Sequence, residues 1–135
     1  MKVLFILWLT LIAQMSLAQE RLGYSYKYIT TEFAFNGNDS MSYGHYTDGT
    51  LYLRVGLVKE DVYYVFNSDS ICIITEVYPR TNEDLKELDV MYGISGYALA
   101  CPGVWIGPCL NGICKGELVE NKYFVWTELR RSGDQ

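Results

Sequence analysis

From Leu51 onward the chain alternates between short runs of β-forming residues and polar turns, a punctuation that leaves room for little except a sheet of brief antiparallel strands. Leu51, Leu53, Val55 and Leu57 alternate with Tyr52, Arg54, Gly56 and Val58, the period of two of a strand with one face on a core. Lys59-Glu60-Asp61 reads as a hairpin loop leading into Val62 to Phe66, and Asn67-Ser68-Asp69-Ser70 turns the chain again. The run Ile71 to Tyr78 is apolar on both sides except at Thr75 and Glu76, which predicts a strand inside the sheet rather than at its edge.

Pro79 ends that run. Thr81, with Asp84 three residues later, resembles a capping box and predicts a helix over residues 82–92. Leu85, Leu88, Met91 and Tyr92 share one face at helical spacing, Glu83, Lys86 and Glu87 face away, and Val90 falls on the polar side. Burying Leu85, Leu88 and Met91 contributes on the order of 1.5 to 3 kcal/mol each. Gly93 is expected to provide the left-handed stop.

Beyond the helix, Val104 to Ile106, Cys109 to Cys114, Glu117 to Val119 and Tyr123 to Leu129 read as strands. Asn111-Gly112 is expected as a type I′ turn, and Glu120-Asn121 turns the last hairpin. Before Leu51, Tyr24 to Phe35 is expected as one or two strands and Asn36 to Asp48 as a polar loop. The fold class is α+β: a mostly antiparallel sheet of about six to seven short strands packing one α-helix, stapled by disulfides.

The N-terminal pattern carries an expectation about the compartment. Lys2, the apolar stretch Val3 to Ala13 and the small residues of Ser16-Leu17-Ala18 read as a signal peptide over residues 1–18. Its apolar run is about half of the ~20 residues needed to cross a bilayer, and Gln14 interrupts it. The mature chain, 19–135, has the length of one domain and no apolar run of spanning length, so a secreted or periplasmic protein without a membrane span is expected. Sixteen acidic residues against eleven Lys and Arg, with the basic residues scattered, speak against nucleic acid or anionic membrane as partner.

Cys72, Cys101, Cys109 and Cys114 are an even set in an exported chain, so disulfides are the expectation. A turn at Asn111-Gly112 puts Cys109 opposite Cys114, which leaves Cys72 with Cys101. Cys101 with Cys109 is the rival, because Pro102-Gly103 and Pro108 can bend that stretch back. The spacings match no compact zinc finger and contain no Cys-x-x-Cys, so neither a metal nor a redox role is expected.

Catalytic motifs are sparse. His45 is the single histidine, and with Ser42, Asp39, Asp48 and Gly44 around it in sequence it reads as a solvated loop residue. There is no Gly-x-Ser-x-Gly elbow, and Gly93-Ile94-Ser95-Gly96 follows a helix where an anion site would precede one, so no cofactor is implied. Glu76 interrupts an apolar strand and is the best candidate for a general acid, with Glu117 and Glu128 as carboxylates that could face it across the sheet. A solvated sheet face, or pairing with Arg54 and Lys115, is the plainer account.

Twelve tyrosines are the compositional oddity. Tyr offers a large apolar ring with a polar tip and is favoured where surfaces meet partners. On a strand, Tyr24, Tyr26 and Tyr28 would share a face that Tyr52, Tyr63 or Tyr64, and Trp126 could extend, although half-buried sheet faces use aromatic residues in any case. The expectation is a small secreted or periplasmic binding module for a protein or glycan, without catalysis, using Tyr24, Tyr26, Tyr28, Tyr52 and Trp126. The alternatives are a small carboxylate-dependent hydrolase and a structural envelope component.

Overall fold

A computed structural model describes residues 21–35 and 40–129; the predicted signal peptide and the first part of the predicted 36–48 loop lie outside them. In chain order the elements are α1 (Tyr26–Phe35), β1 (Met41–His45), β2 (Leu51–Gly56), β3 (Glu60–Phe66), β4 (Cys72–Pro79), α2 (Asn82–Ile94), β5 (Ala98–Cys101), β6 (Val104–Cys109), β7 (Gly112–Val119) and β8 (Tyr123–Leu129). The strands form one antiparallel sheet in the order β1-β2-β3-β4-β8-β7-β6-β5. It is thus two four-stranded meanders joined along β4 and β8, with α2 carrying the chain from the middle of the sheet to its far edge.

The α+β class and the helix after Pro79 are as the pattern predicts. Thr81 is the N-cap, its side chain accepting the Asp84 N–H at 3.1 Å. The helix runs past Gly93, however, and it is Gly96, at φ +94°, that makes the left-handed turn. There the Tyr97 N–H returns to the Tyr92 carbonyl at 3.1 Å.

Three further expectations change. Tyr24 to Phe35 is not strand: residues 23–26 hydrogen-bond to 70–72, and helix α1 then begins, with Ser25 Oγ accepting the Tyr28 N–H at 3.1 Å. Tyr at every second position imitates a strand, but Tyr26, Ile29 and Phe33, spaced by three and four, are the residues that meet the core. Arg21 ties to Glu32 and anchors the helix to the segment before it. Within the predicted loop, Met41–His45 is an eighth strand paired from Met41↔Val55 to His45↔Leu51. As an edge strand it buries too little for its sequence to alternate. Glu60, finally, is not a loop residue: it opens β3 opposite Pro79 and is 9% exposed.

The core lies on one side of the sheet. Leu53, Val55, Val62, Tyr64, Val77, Phe124 and Trp126 alternate inward along β2, β3, β4 and β8, and Ile29 of α1 and Leu88 and Tyr92 of α2 join the same cluster. Tyr92 is its centre, with ring centroids 4.9 Å from Trp126, 5.0 Å from Phe124, 6.1 Å from Trp105 and 6.3 Å from Tyr97. Trp126 Nε1 donates to the Tyr92 hydroxyl at 3.1 Å. Gly116 lets the indole lie flat on β7, since a Cβ there would stand 2.4 Å from it.

Cys109 and Cys114 form a disulfide across the β6–β7 hairpin, but diagonally, because Cys109 pairs with Gly112 and Cys114 with Gly107. The turn residues are Leu110 and Asn111, one position earlier than the Asn-Gly signal predicts. The Cα atoms of Cys109 and Cys114 are 5.8 Å apart, in the usual disulfide range. The predicted Cys72–Cys101 bridge is absent: both thiols are free, Cys72 buried and Cys101 exposed. Strands β8, β7 and β6 stand between β4 and β5, so four strand spacings, roughly 19 Å, separate the two cysteines. Burial pushes the Cys72 thiol up to about 12.

Alkylation of the native, unreduced protein is expected to label Cys101 alone; denaturation adds Cys72, and reduction adds Cys109 and Cys114. Mass spectrometry showing a second thiol modified at the native stage contradicts the arrangement. Burial, and then the nearby Asp84 carboxylate, raise the Glu60 pKa from 4.5 to about 7. A carboxyl that binds its proton more tightly when folded contributes stability at low pH that is lost as pH rises from about 4.5 through about 7. Glu60→Gln is expected to abolish this decline and to stabilise the protein above pH 7 by up to about 3 kcal/mol, measured by denaturant unfolding across pH.

Candidate functional site

Both helices of the described residues pack on the inner face, so among the described residues no helix covers the opposite one. The residues between the core positions point there; one row across the sheet is Arg54↔Tyr63↔Glu76↔Val125↔Glu117. On this face five tyrosines form a continuous row: Tyr46, just past β1, then Tyr52 of β2, Tyr63 of β3, Tyr78 of β4 and Tyr123 of β8. Successive centroids are 4.8, 5.8, 5.4 and 4.5 Å apart. From Tyr52 to Tyr78 the row steps two residues along each strand, which keeps it on one face and makes it a diagonal. At its β1 end Gly44 is a necessity of shape, since a Cβ there would come within 2.5 Å of the Tyr52 hydroxyl.

Three of these tyrosines, Tyr46, Tyr63 and Tyr78, line an open groove of about 820 Å³ whose lining also includes Val65, Ile73 and Ile74. Ile73 reaches it because the β3–β4 register shifts between Val65 and Phe66, leaving Ile73 without a cross-strand partner and 42% exposed. Three carboxylates join the lining: Asp48, Asp61 and Glu76. Asp61 is held between Arg54, at 3.0 Å, and Arg80, at 3.1 Å. Asp48 Oδ1 accepts the Thr50 N–H at 2.9 Å, and its hydrogen bonding with Thr50 lowers its pKa. Glu76 Oε2 accepts from the Tyr78 hydroxyl at 2.7 Å. Burial, then this bond and the Glu76 charge, hold the Tyr78 phenol well above its ordinary pKa. Burial first and Glu76 second also raise Tyr46. Both rings therefore keep their protons, and with them their capacity to donate.

Of the residues singled out in the sequence, Tyr52 and Tyr63 belong to this row. Tyr64 and Trp126 do not: both are fully buried on the inner face, and Trp126 is spent on the Tyr92 contact. Tyr24, Tyr26 and Tyr28 belong to α1 and the segment before it, where Tyr24 stacks on Tyr28 at 4.6 Å and Tyr26 meets Phe66 at 5.2 Å. Tyr46, Tyr78 and Tyr123 were missed. Counting in twos from a buried Phe124 and Trp126 puts Tyr123 on the open face, but which strands adjoin cannot be counted that way.

The other candidates disperse. His45 is exposed at the end of edge strand β1. Glu117 shares the open face with Glu76, two strands away and so about 10 Å at the backbone, and pairs with Lys115 at 2.6 Å. Glu128 alternates with Thr127 and leaves from the opposite face, opposite buried Cys114. Among the described residues no group of three or more His, Cys, Asp and Glu is placed to hold a metal, and no helix is long and apolar enough to cross a membrane.

Comparison with known protein families, with characterised proteins and with solved structures returns no match for this chain. The functional reading therefore rests on the chemistry of the open face.

Proposed function

We propose that this protein is an exported binding module that takes a glycan along the tyrosine row of its open sheet face and holds it without chemical change. The carrying observation is the row itself: five neighbouring rings on the side that neither helix covers. Half-buried sheet faces use aromatic residues in general, and the feature the binding reading accounts for is their continuity as a row of five on one face. The spacing of the rings is comparable to that of consecutive pyranose units, so one chain can meet several rings in turn. Phenol hydroxyls and carboxylate oxygens beside the rings match the hydroxyls of a sugar. The aliphatic part of the groove is Val65, Ile73 and Ile74, a small patch for the desolvated centre of a protein interface. The signal-peptide pattern of residues 1–18 supports export.

Binding of soluble oligomers of glucose and of N-acetylglucosamine, measured by calorimetry, tests the reading. The double variant Tyr63→Ala/Tyr78→Ala, confirmed as folded by circular dichroism, is expected to bind at least about tenfold more weakly. Tyr24→Ala/Tyr28→Ala on the α1 side serves as the control and is expected to bind like the unaltered protein. Equal losses in both variants, or no binding of any oligomer, contradict the proposal.

A further inference from the structure

The groove has an electrostatic division that its tyrosines alone do not explain. At one end Asp61 sits between Arg54 and Arg80, and its charge is answered within the protein. Glu76 and Asp48 line the same groove, and among the described residues no basic side chain lies within ion-pair distance of either. Glu76 gives one oxygen, Oε2, to the Tyr78 hydroxyl. Its carboxylate keeps the capacity to accept further donors. Around it stand the rings of Tyr63 and Tyr78, in edge contact at 5.4 Å, with Tyr46 on the same lining.

Aromatic faces and a carboxylate without a cationic partner favour the same kind of guest. The negative face of an aromatic ring attracts an ammonium group, and the carboxylate supplies a charge-assisted hydrogen bond to it. An anionic guest would meet Glu76 and Asp48 directly, while the two guanidinium groups are already directed to Asp61. A neutral sugar would stack and leave the Glu76 charge unanswered.

We infer that the groove selects amino-bearing glycans, seating a protonated sugar amine against the Glu76 carboxylate among the rings of Tyr46, Tyr63 and Tyr78. This rests on the glycan reading of the same face and narrows it to a ligand class. The rest of the sugar chain follows the ring row toward Tyr52 or Tyr123, so the amine sets selectivity and the rings supply most of the affinity.

N-acetylation offers a test from the ligand's side, because it removes the charge and keeps the sugar skeleton. Glucosamine oligomers and N-acetylglucosamine oligomers of equal length are titrated into the full mature protein at low ionic strength, with the free amines protonated. The glucosamine oligomer is expected to bind roughly tenfold tighter. The preference is expected to shrink with added salt and to fall below about twofold in Glu76→Gln, whose amide oxygen can still accept from Tyr78. If the acetylated oligomer binds through the tyrosines and equally well or better, the amine selectivity is wrong and the glycan reading stands. A preference that persists in Glu76→Gln removes Glu76 from the site. If neither oligomer binds, both readings fall. Competition in which oligolysine displaces the glucosamine oligomer at lower concentration assigns the site to basic peptides and overturns the inference.

Discussion

The structure depends on the docking of Tyr92 into the indole and phenyl rings of one sheet face. Four aromatic rings surround it, and its hydroxyl satisfies the buried Trp126 N–H, so the contact excludes water without stranding a donor. Truncating a residue of this kind in a packed core costs about 3–5 kcal/mol, a large part of the stability of a domain this small. Because α2 connects β4 to β5, the same contact holds the two meanders in register across β4 and β8. It also decides sidedness. With α1 and α2 on the Tyr92 side, the alternate residues of every strand are turned outward together, and the tyrosine row results.

How far this was legible in the sequence follows from which interactions are local. The β2, β3, β4 and β8 strands, the Thr81 cap and the helix face of Leu88 and Tyr92 rest on periodicity and capping within a dozen residues, and those features are present. Helix α1 was not legible because Tyr24, Tyr26 and Tyr28 carry a strand-like period while the helical residues Ile29 and Phe33 are few. Strand β1 is held by pairing with β2 alone, and its polar sequence gives no alternation to detect. Glu60 was placed in a loop because charged residues are rarely buried; here the loop is shorter, with Lys59 turned outward to Glu87 and Glu60 inward.

The candidate site divides along the same line. That tyrosine is in excess is read from composition and the place of Tyr52 from alternation, whereas Tyr63 and Tyr64 adjoin in an apolar run whose alternation does not choose between them. That Tyr46, Tyr78 and Tyr123 complete the row could not be read from either, because it crosses five segments and depends on register between β2, β3, β4 and β8. Trp126 illustrates the opposite error: a large aromatic near the chain's end was assigned to the surface, whereas its parity with Phe124 sends it inward to Tyr92. The disulfides follow suit. The bridge closed by a local hairpin formed, and the one that needed β4 and β5 to adjoin did not.

The account turns on the open face being the surface that meets the ligand. Nuclear magnetic resonance mapping with glucosamine oligomers tests this most directly, by following the backbone amides and tyrosine ring signals during titration. The account predicts perturbations concentrated at Tyr46, Tyr52, Tyr63, Glu76, Tyr78 and Tyr123, with the amides of α1, α2 and the inner-face core left in place. Perturbations centred on α1, on the β5 edge or on the β6–β7 hairpin, with the tyrosine row silent, would contradict it.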